Sequence, residues 1–115
     1  GGIFTSFLPA ISKSALKRLS ARVRSWRLHL RTGSTFTGLA RTINPIVRGW
    51  MQYYGRFYRT ALYPLLKRIN AYLVRWLRKK YKRLRTFKKA KAAWRRVTRQ
   101  CPLLLSHWAW VQSFW

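Results

Sequence analysis

Residues 44 to 59 read NPIVRGWMQYYGRFYR. The stretch is the length of a helix, carries three arginines and two glycines among large apolar and aromatic side chains, and contains no acidic residue. Asn44 followed by Pro45 reads as a cap with proline at the first helical position, where its missing N–H does no harm, so a helix is expected from Pro45 to about Tyr58. At about 100° per residue, Ile46, Trp50, Tyr53, Tyr54 and Phe57 share one face, and Arg48, Gln52, Gly55 and Arg59 share the opposite one. The aromatic face is for packing and the arginine face for solvent or a ligand. Gly55, among the arginines, removes a side chain so that another backbone can come close.

The same two-sidedness extends outward from this stretch. Upstream, Ser14 caps a run in which Leu16, Leu19, Val23, Trp26 and Leu30 recur at spacings of three and four, one apolar stripe on a helix. The turn-forming cluster TGSTFT, residues 32–37, ends it, and a short helical turn around Leu39 to Ile43 leads to Asn44. Downstream, Thr60 is the expected cap of a helix from about Ala61 to Lys82, with Pro64 tolerated in its first turn. Its stripe is Leu62, Leu66, Ile69, Leu73 and Trp76, and Lys67, Arg68, Arg75, Arg78, Lys79 and Lys82 fall on the other side. A last helix starts at Thr86, presents Phe87, Ala90, Trp94 and Val97 on one face, and stops before Pro102. No strand-like alternation occurs. The fold class is all-α, three to four amphipathic helices in a bundle, with Trp26, Trp50, Leu73, Trp76 and Trp94 as its core. The chain divides into an apolar lead-in, residues 1–13, from an upstream domain, a helical body, residues 14–100, and an apolar tail, residues 101–115, packing on the body.

Charge decides the class of partner. The 115 residues include 26 Lys and Arg and no Asp or Glu, for a formal charge of +26. Acidic residues make up about an eighth of an average sequence, so their absence is not chance. A compact state with this charge repels itself by several kcal/mol unless a polyanion neutralises it. Disordered basic tails lack apolar material, whereas 49% of this chain is hydrophobic and 17% aromatic, including seven Trp. A folded module that meets nucleic acid is the expectation.

Enzymatic chemistry has little to stand on. Without a side-chain carboxylate there is no acid pair, no two-metal phosphoryl transfer and no Ser-His-Asp triad. His29, His107 and Cys101 are each isolated, the single cysteine permits no internal disulfide, and no catalytic residue, metal or cofactor is expected. His107, in an apolar run, is read as a packing residue. No apolar run approaches the ~20 residues that cross a bilayer, and the opening GGIFTSFLPAIS lacks the pattern of an export signal, so an intracellular setting, bacterial cytoplasm or an organelle, is expected.

Thirteen of the 26 basic residues fall between Arg75 and Arg99. A solvated helix face carries both signs, and like charges three or four apart destabilise a helix, so this run is read as phosphate-binding. The candidate RNA-binding residues are Arg48, Arg56, Arg59, Arg75, Arg78, Lys79, Lys80, Lys82, Arg83, Arg85, Lys88, Lys89, Lys91, Arg95 and Arg96. Tyr58 and Tyr81, each beside a cation, are candidate stacking platforms, with covering the edge of the core as the alternative. RNA is favoured over DNA because no zinc finger, zipper or helix-turn-helix pattern is present, and folded RNA is read through shape, backbone and stacking.

The block INPIVRGWMQYYGRFYRTALYPLLKRIN (43–70), followed by RKKYKRLR (78–85), KKAKAAWRR (88–96) and LLLSHW (103–108), resembles the maturase-specific domain, or thumb, of group II intron reverse transcriptases. The similarity covers about residues 12–110. It implies a helical thumb that follows a polymerase palm, binds group II intron RNA within a ribonucleoprotein to stabilise its fold for splicing and retrohoming, and grips the template-primer duplex or target DNA. The palm's catalytic aspartates are absent from these residues. Two other readings share the composition: a small basic structural protein of a ribonucleoprotein, and a membrane-active cationic polypeptide.

Overall fold

The computed structural model describes residues 13–114, apart from the side chains of Lys13, Arg56, Phe57 and Tyr58, so the expected lead-in falls almost wholly outside the described residues. The fold is all-α: α1 spans Lys13–Ser25, α2 spans Phe36–Lys80 and α3 spans Phe87–Gln100, joined and followed by short 3-10 turns at Leu28–Leu30, Lys82–Leu84 and Ser106–Ala109. The predicted start of α3 is in place, with the Thr86 hydroxyl accepting from the Lys89 N–H at 3.3 Å.

The expected breaks at Asn44 and Thr60 do not occur. α2 is one helix of 45 residues with Pro45 and Pro64 inside it, capped at Thr35, whose hydroxyl accepts from the Gly38 N–H at 2.9 Å. An internal proline costs a helix about 3 kcal/mol, a local penalty that burial on both sides outweighs. Ile43 and Val47 flank Pro45, Leu62 and Leu66 flank Pro64, and all four are fully buried. A straight helix of this length would run about 66 Å at 1.5 Å per residue, yet the long axis of the molecule is 57 Å. The helix therefore bends, and prolines are the usual cause of a bend. The expected stripe Leu62, Leu66, Ile69, Leu73 and Trp76 is buried, but so are Leu65, Val74 and Leu77. The buried arc is wide because α2 is covered from two sides, by α1 and its following turn and by α3 with the C-terminal segment.

The first helix ends earlier than its periodicity suggests. Arg27 takes a left-handed conformation, φ 47°, and the chain turns so that Leu28 enters the core while Leu30 stays half exposed. Trp26 stacks on Trp50 of α2 with 5.6 Å between rings and 7° between planes. The new direction is locked by two hydrogen bonds, Arg31 Nε–H to the Trp26 carbonyl at 2.8 Å and Trp76 Nε1–H to the Arg31 carbonyl at 2.6 Å.

Two asparagines on α2 hold the C-terminal segment. Asn44, far from being a cap, donates to the Leu104 carbonyl and accepts from the Ser106 N–H, both at 2.9 Å. Arg48, one turn on, donates to the Ser106 hydroxyl at 3.2 Å. Asn70, fully buried, donates to the carbonyls of Val111 at 3.2 Å and Ser113 at 2.9 Å. Its oxygen accepts from Trp108 Nε1–H at 3.0 Å and meets His107 Nε2 at 2.6 Å. Because that oxygen can only accept, His107 carries its proton on Nε2. Gly55 lies beneath the same segment. A Cβ there would sit 2.4 Å from the Trp110 ring, so the close approach that Gly55 permits is by an indole rather than by a backbone. The aromatic core closes around Phe36, whose ring lies 5.5 Å from Trp76, 6.4 Å from Trp94 and 5.9 Å from Trp108.

Replacing Asn70 by Ala leaves the His107 and Trp108 N–H groups without acceptors and frees two carbonyls. At 1–3 kcal/mol for each buried orphan, the variant should lose about 3 kcal/mol or more in urea denaturation.

His107 makes stability pH-dependent in a definite direction. Burial holds its pKa at about 3, against the ordinary 6.5. Above the ordinary value the ring is neutral in both states. As pH falls from there toward 3, the unfolded chain takes up a proton that the folded one refuses, and stability should decline by on the order of 4 kcal/mol. No Asp or Glu titrates in this window. Urea midpoints measured across it should therefore fall steadily with acid, and His107→Gln should leave only the shallower slope owed to His29, whose pKa is also lowered.

Candidate nucleic-acid interface

The basic residues separate into those that serve the fold and those that do not. Arg48 bonds to Ser106, and the Arg59 guanidinium lies 4.5 Å from the centre of the Trp110 ring. Both remain exposed, but each has an internal task in fastening the C-terminal segment. Lys80 donates to the Ser34 carbonyl at 2.6 Å and sits 5.0 Å from the Trp76 ring. The side chains of Arg56 and Tyr58 lie outside the described set. Tyr53, expected on the packing face, is 78% exposed and meets the Tyr54 ring edge to face at 4.7 Å.

Beyond these, one stripe of α2 faces outward. Arg68, Tyr72, Arg75 and Lys79 recur at spacings of four, three and four, which keeps them in one row. All three cations are exposed. Tyr72 is the platform of the row, with the Arg75 guanidinium 5.6 Å above its ring and the His29 imidazole stacked on it at 5.3 Å. Arg78, a residue further round, is fixed by Nε–H and Nη2–H bonds to the Arg85 carbonyl at 2.9 and 2.8 Å. His29, Arg75, Arg78, Lys79 and Arg85 line a recess of about 250 Å³. Sequence reasoning named four of these five and missed His29, Arg68 and Tyr72. The row spacing in α2 was available to it. The position of His29 was not, because it depends on the left-handed turn at Arg27.

A second set surrounds α3. Lys82, Arg83, Lys88, Lys89, Arg95 and Arg96 are exposed, and Lys91 is partly so, 6.0 Å from the Phe87 ring. Arg83 and Arg96 stand at an apolar groove of about 320 Å³ lined by Phe36, Trp76, Tyr81 and Val97. Tyr81 is 39% exposed and meets Trp76 edge to face at 6.3 Å, with Arg83 5.9 Å from its ring.

Helix dipoles treat the two sets differently. Arg78, Lys79 and Lys80 occupy the last turn of α2, where the carbonyl end welcomes cations. Lys88 and Lys89 occupy the first turn of α3, which has no acidic residue and where a cation costs roughly 0.3–1 kcal/mol. That start of a helix is locally unfavourable for its own side chains and favourable for an external anion.

Among the described residues no group of His, Cys, Asp or Glu could hold a metal ion. No described helix is long and apolar enough to cross a membrane. Among the described residues, His107 Nδ1 and His29 Nδ1 are buried side-chain polar atoms without a hydrogen-bond partner.

The model of the group II intron maturase-specific domain matches residues 16–100. The chain belongs to that family. The maturase domain is the maturase-specific part of such proteins and not their polymerising part, and its role is tied to group II introns at that coarse level. No curated protein and no solved structure matches the chain. The matched residues contain α2 and both basic sets, while the segment that Asn44 and Asn70 hold lies beyond them.

The division of labour among the cations is open to measurement. Arg59→Gln removes a cation–π contact and should cost about 0.5–1 kcal/mol in urea denaturation. Arg75→Gln gives up the contact with the Tyr72 ring and Lys79→Gln a favourable place at the carbonyl end of α2, but each also relieves repulsion along the row, so either should change stability by no more than about 0.5 kcal/mol.

Proposed function

We infer that this maturase domain binds folded group II intron RNA through its phosphate backbone and so stabilises the intron fold for splicing and mobility, alongside an upstream reverse transcriptase domain. Gripping the template-primer duplex or target DNA is part of the same reading, since those ligands present the same repeating phosphates. The observation that carries it is the exposed row Arg68, Arg75 and Lys79 with the adjoining cations of residues 78–96, on a chain with no side-chain carboxylate to neutralise them. Each phosphate neutralised releases condensed counterions, and the gain is entropic and salt-dependent. The aromatic rings beside the cations, Tyr72 and Tyr81, suit a ligand that also offers bases for stacking. Arg75, Arg78, Lys79, Lys82, Arg83, Arg85, Lys88, Lys89, Lys91, Arg95 and Arg96 are the proposed phosphate ligands. Arg48, Lys80 and Arg59 are proposed to contribute mainly by shaping the surface.

Binding of the full chain to a group II intron RNA over a salt series tests the reading. With about five phosphate contacts, log K should fall with log salt at a slope near −4. Arg75→Gln or Lys79→Gln should each make that slope shallower by about one. An affinity indifferent to ionic strength would refute the phosphate contacts. Equal competition by an unrelated folded RNA of the same length would instead favour a general structural role in a ribonucleoprotein.

A further inference from the structure

We propose that the recess between His29, Arg75, Arg78, Lys79 and Arg85 is a discrete site for one phosphoryl group, with the His29 imidazole as a ligand alongside the four cations. The inference rests on the nucleic-acid reading and names a particular place within it.

Three separate parts of the chain build the recess: the 3-10 turn Leu28–Leu30 brings His29, the last turns of α2 bring Arg75, Arg78 and Lys79, and the chain after the turn Lys82–Leu84 brings Arg85. Three of the five groups are positioned by contacts within the fold. Tyr72 carries the Arg75 guanidinium on its ring and the His29 imidazole stacked against it. Arg78 is oriented by its two bonds to the Arg85 carbonyl, which leaves three of its five N–H donors for another acceptor. A guanidinium held in this way has already lost much of the freedom that binding would cost it.

His29 completes the site in a particular protonation state. Its Nδ1 is shut off from solvent and has no hydrogen-bond partner. A bare lone pair there costs less than an unpaired buried N–H, so the neutral ring keeps its proton on Nε2, the nitrogen left to serve a ligand. Burial lowers its pKa, and the nearby charges of Arg75, Lys79 and Arg27 lower it further. Arg24 and Arg27 face the ring from the side of α1, and Arg75, Arg78, Lys79 and Arg85 face it across the recess. Every charged group around the imidazole is therefore a cation. A cavity of this composition, in a chain without Asp or Glu, finds its counter-charge only outside itself, and four cations with an N–H donor match a tetrahedral phosphorus oxyanion. An anion seated there opposes the field of the arginines and lysine, so its arrival must ease protonation of His29. By linkage, affinity for the anion rises as pH falls through the range in which His29 titrates.

The chain has only two histidines, which makes the test direct. Imidazole resonances of the full chain, assigned with His29→Gln, are followed by NMR against pH in chloride and, at equal ionic strength, in inorganic phosphate or dimethyl phosphate. His107, with its pKa near 3, stays silent above pH 5 and serves as the internal reference. In chloride the His29 midpoint should lie below 6.5. Phosphate should move it upward, and Lys79→Gln should shrink the movement. A response to dimethyl phosphate assigns the site to an internal phosphodiester, and a response to inorganic phosphate alone assigns it to a terminal phosphomonoester. The same His29 midpoint in all three anions would overturn the proposal. RNA binding by His29→Gln supplies the second arm, with a loss of about threefold to tenfold expected at pH 6 and less at pH 8. If the wild-type chain binds RNA with the expected salt slope while the His29 midpoint ignores phosphate, only this site falls. If RNA binding ignores salt while the midpoint moves, the site stands and the wider reading falls.

Discussion

A chain with no Asp or Glu cannot make an ion pair between its own side chains, and that constraint governs how this fold is fastened. Most of the cations and amides that reach across the structure end instead on backbone carbonyls. Arg31 bonds to Trp26, Lys80 to Ser34, Arg78 to Arg85, Asn44 to Leu104 and Asn70 to Val111 and Ser113. Two of the indoles do the same, Trp76 to Arg31 and Trp94 to Gln112, both at 2.6 Å. Carbonyls not consumed by helices are scarce, and they occur where helices end or the chain turns. The tertiary bonds therefore gather at the turns and along the C-terminal segment.

Using carbonyls as acceptors leaves most of the positive charge uncompensated. A carbonyl dipole satisfies a donor without cancelling its charge, so the field of the domain survives folding nearly intact. The stability of the core, built from Trp76, Trp94, Ile69, Leu66 and Leu73, and the proposed affinity for an external polyanion are thereby separated. One is carried by rings and aliphatic side chains inside, the other by exposed cations that contribute little to the fold or oppose it.

The parts of this arrangement legible in the sequence are those that depend on neighbours three or four residues apart. The stripe from Leu62 to Trp76 and the start of α3 at Thr86 follow from local spacing and capping chemistry, and they are found where expected. Asn44 and Thr60 carry the same local signals of a helix start, yet α2 runs through both, because residues 60 positions away supply the partners that fix Asn44. Gly55 among arginines signals a close approach, but the stretch itself holds nothing that names the approaching group, Trp110. The basic run from Arg75 to Arg96 was legible as charge. Its division into surface-shaping residues such as Lys80 and outward-facing ones such as Lys79 required knowing where Ser34 and Trp76 lie.

The hold of Asn44 and Asn70 on the last described residues bears on the order in which the protein is made. Every bond in that clasp joins residues 37 to 62 positions apart, so none can form on the ribosome until residues 104–113 have left the exit tunnel. Until then α2 would travel without the C-terminal segment and with its asparagines bonded to water. Such a nascent chain is oily and highly cationic at once, and it emerges beside ribosomal RNA. Closure of the clasp is thus a late event in biogenesis, and a chain cut at residue 100, where the family match ends, would remain indefinitely in the unclosed condition.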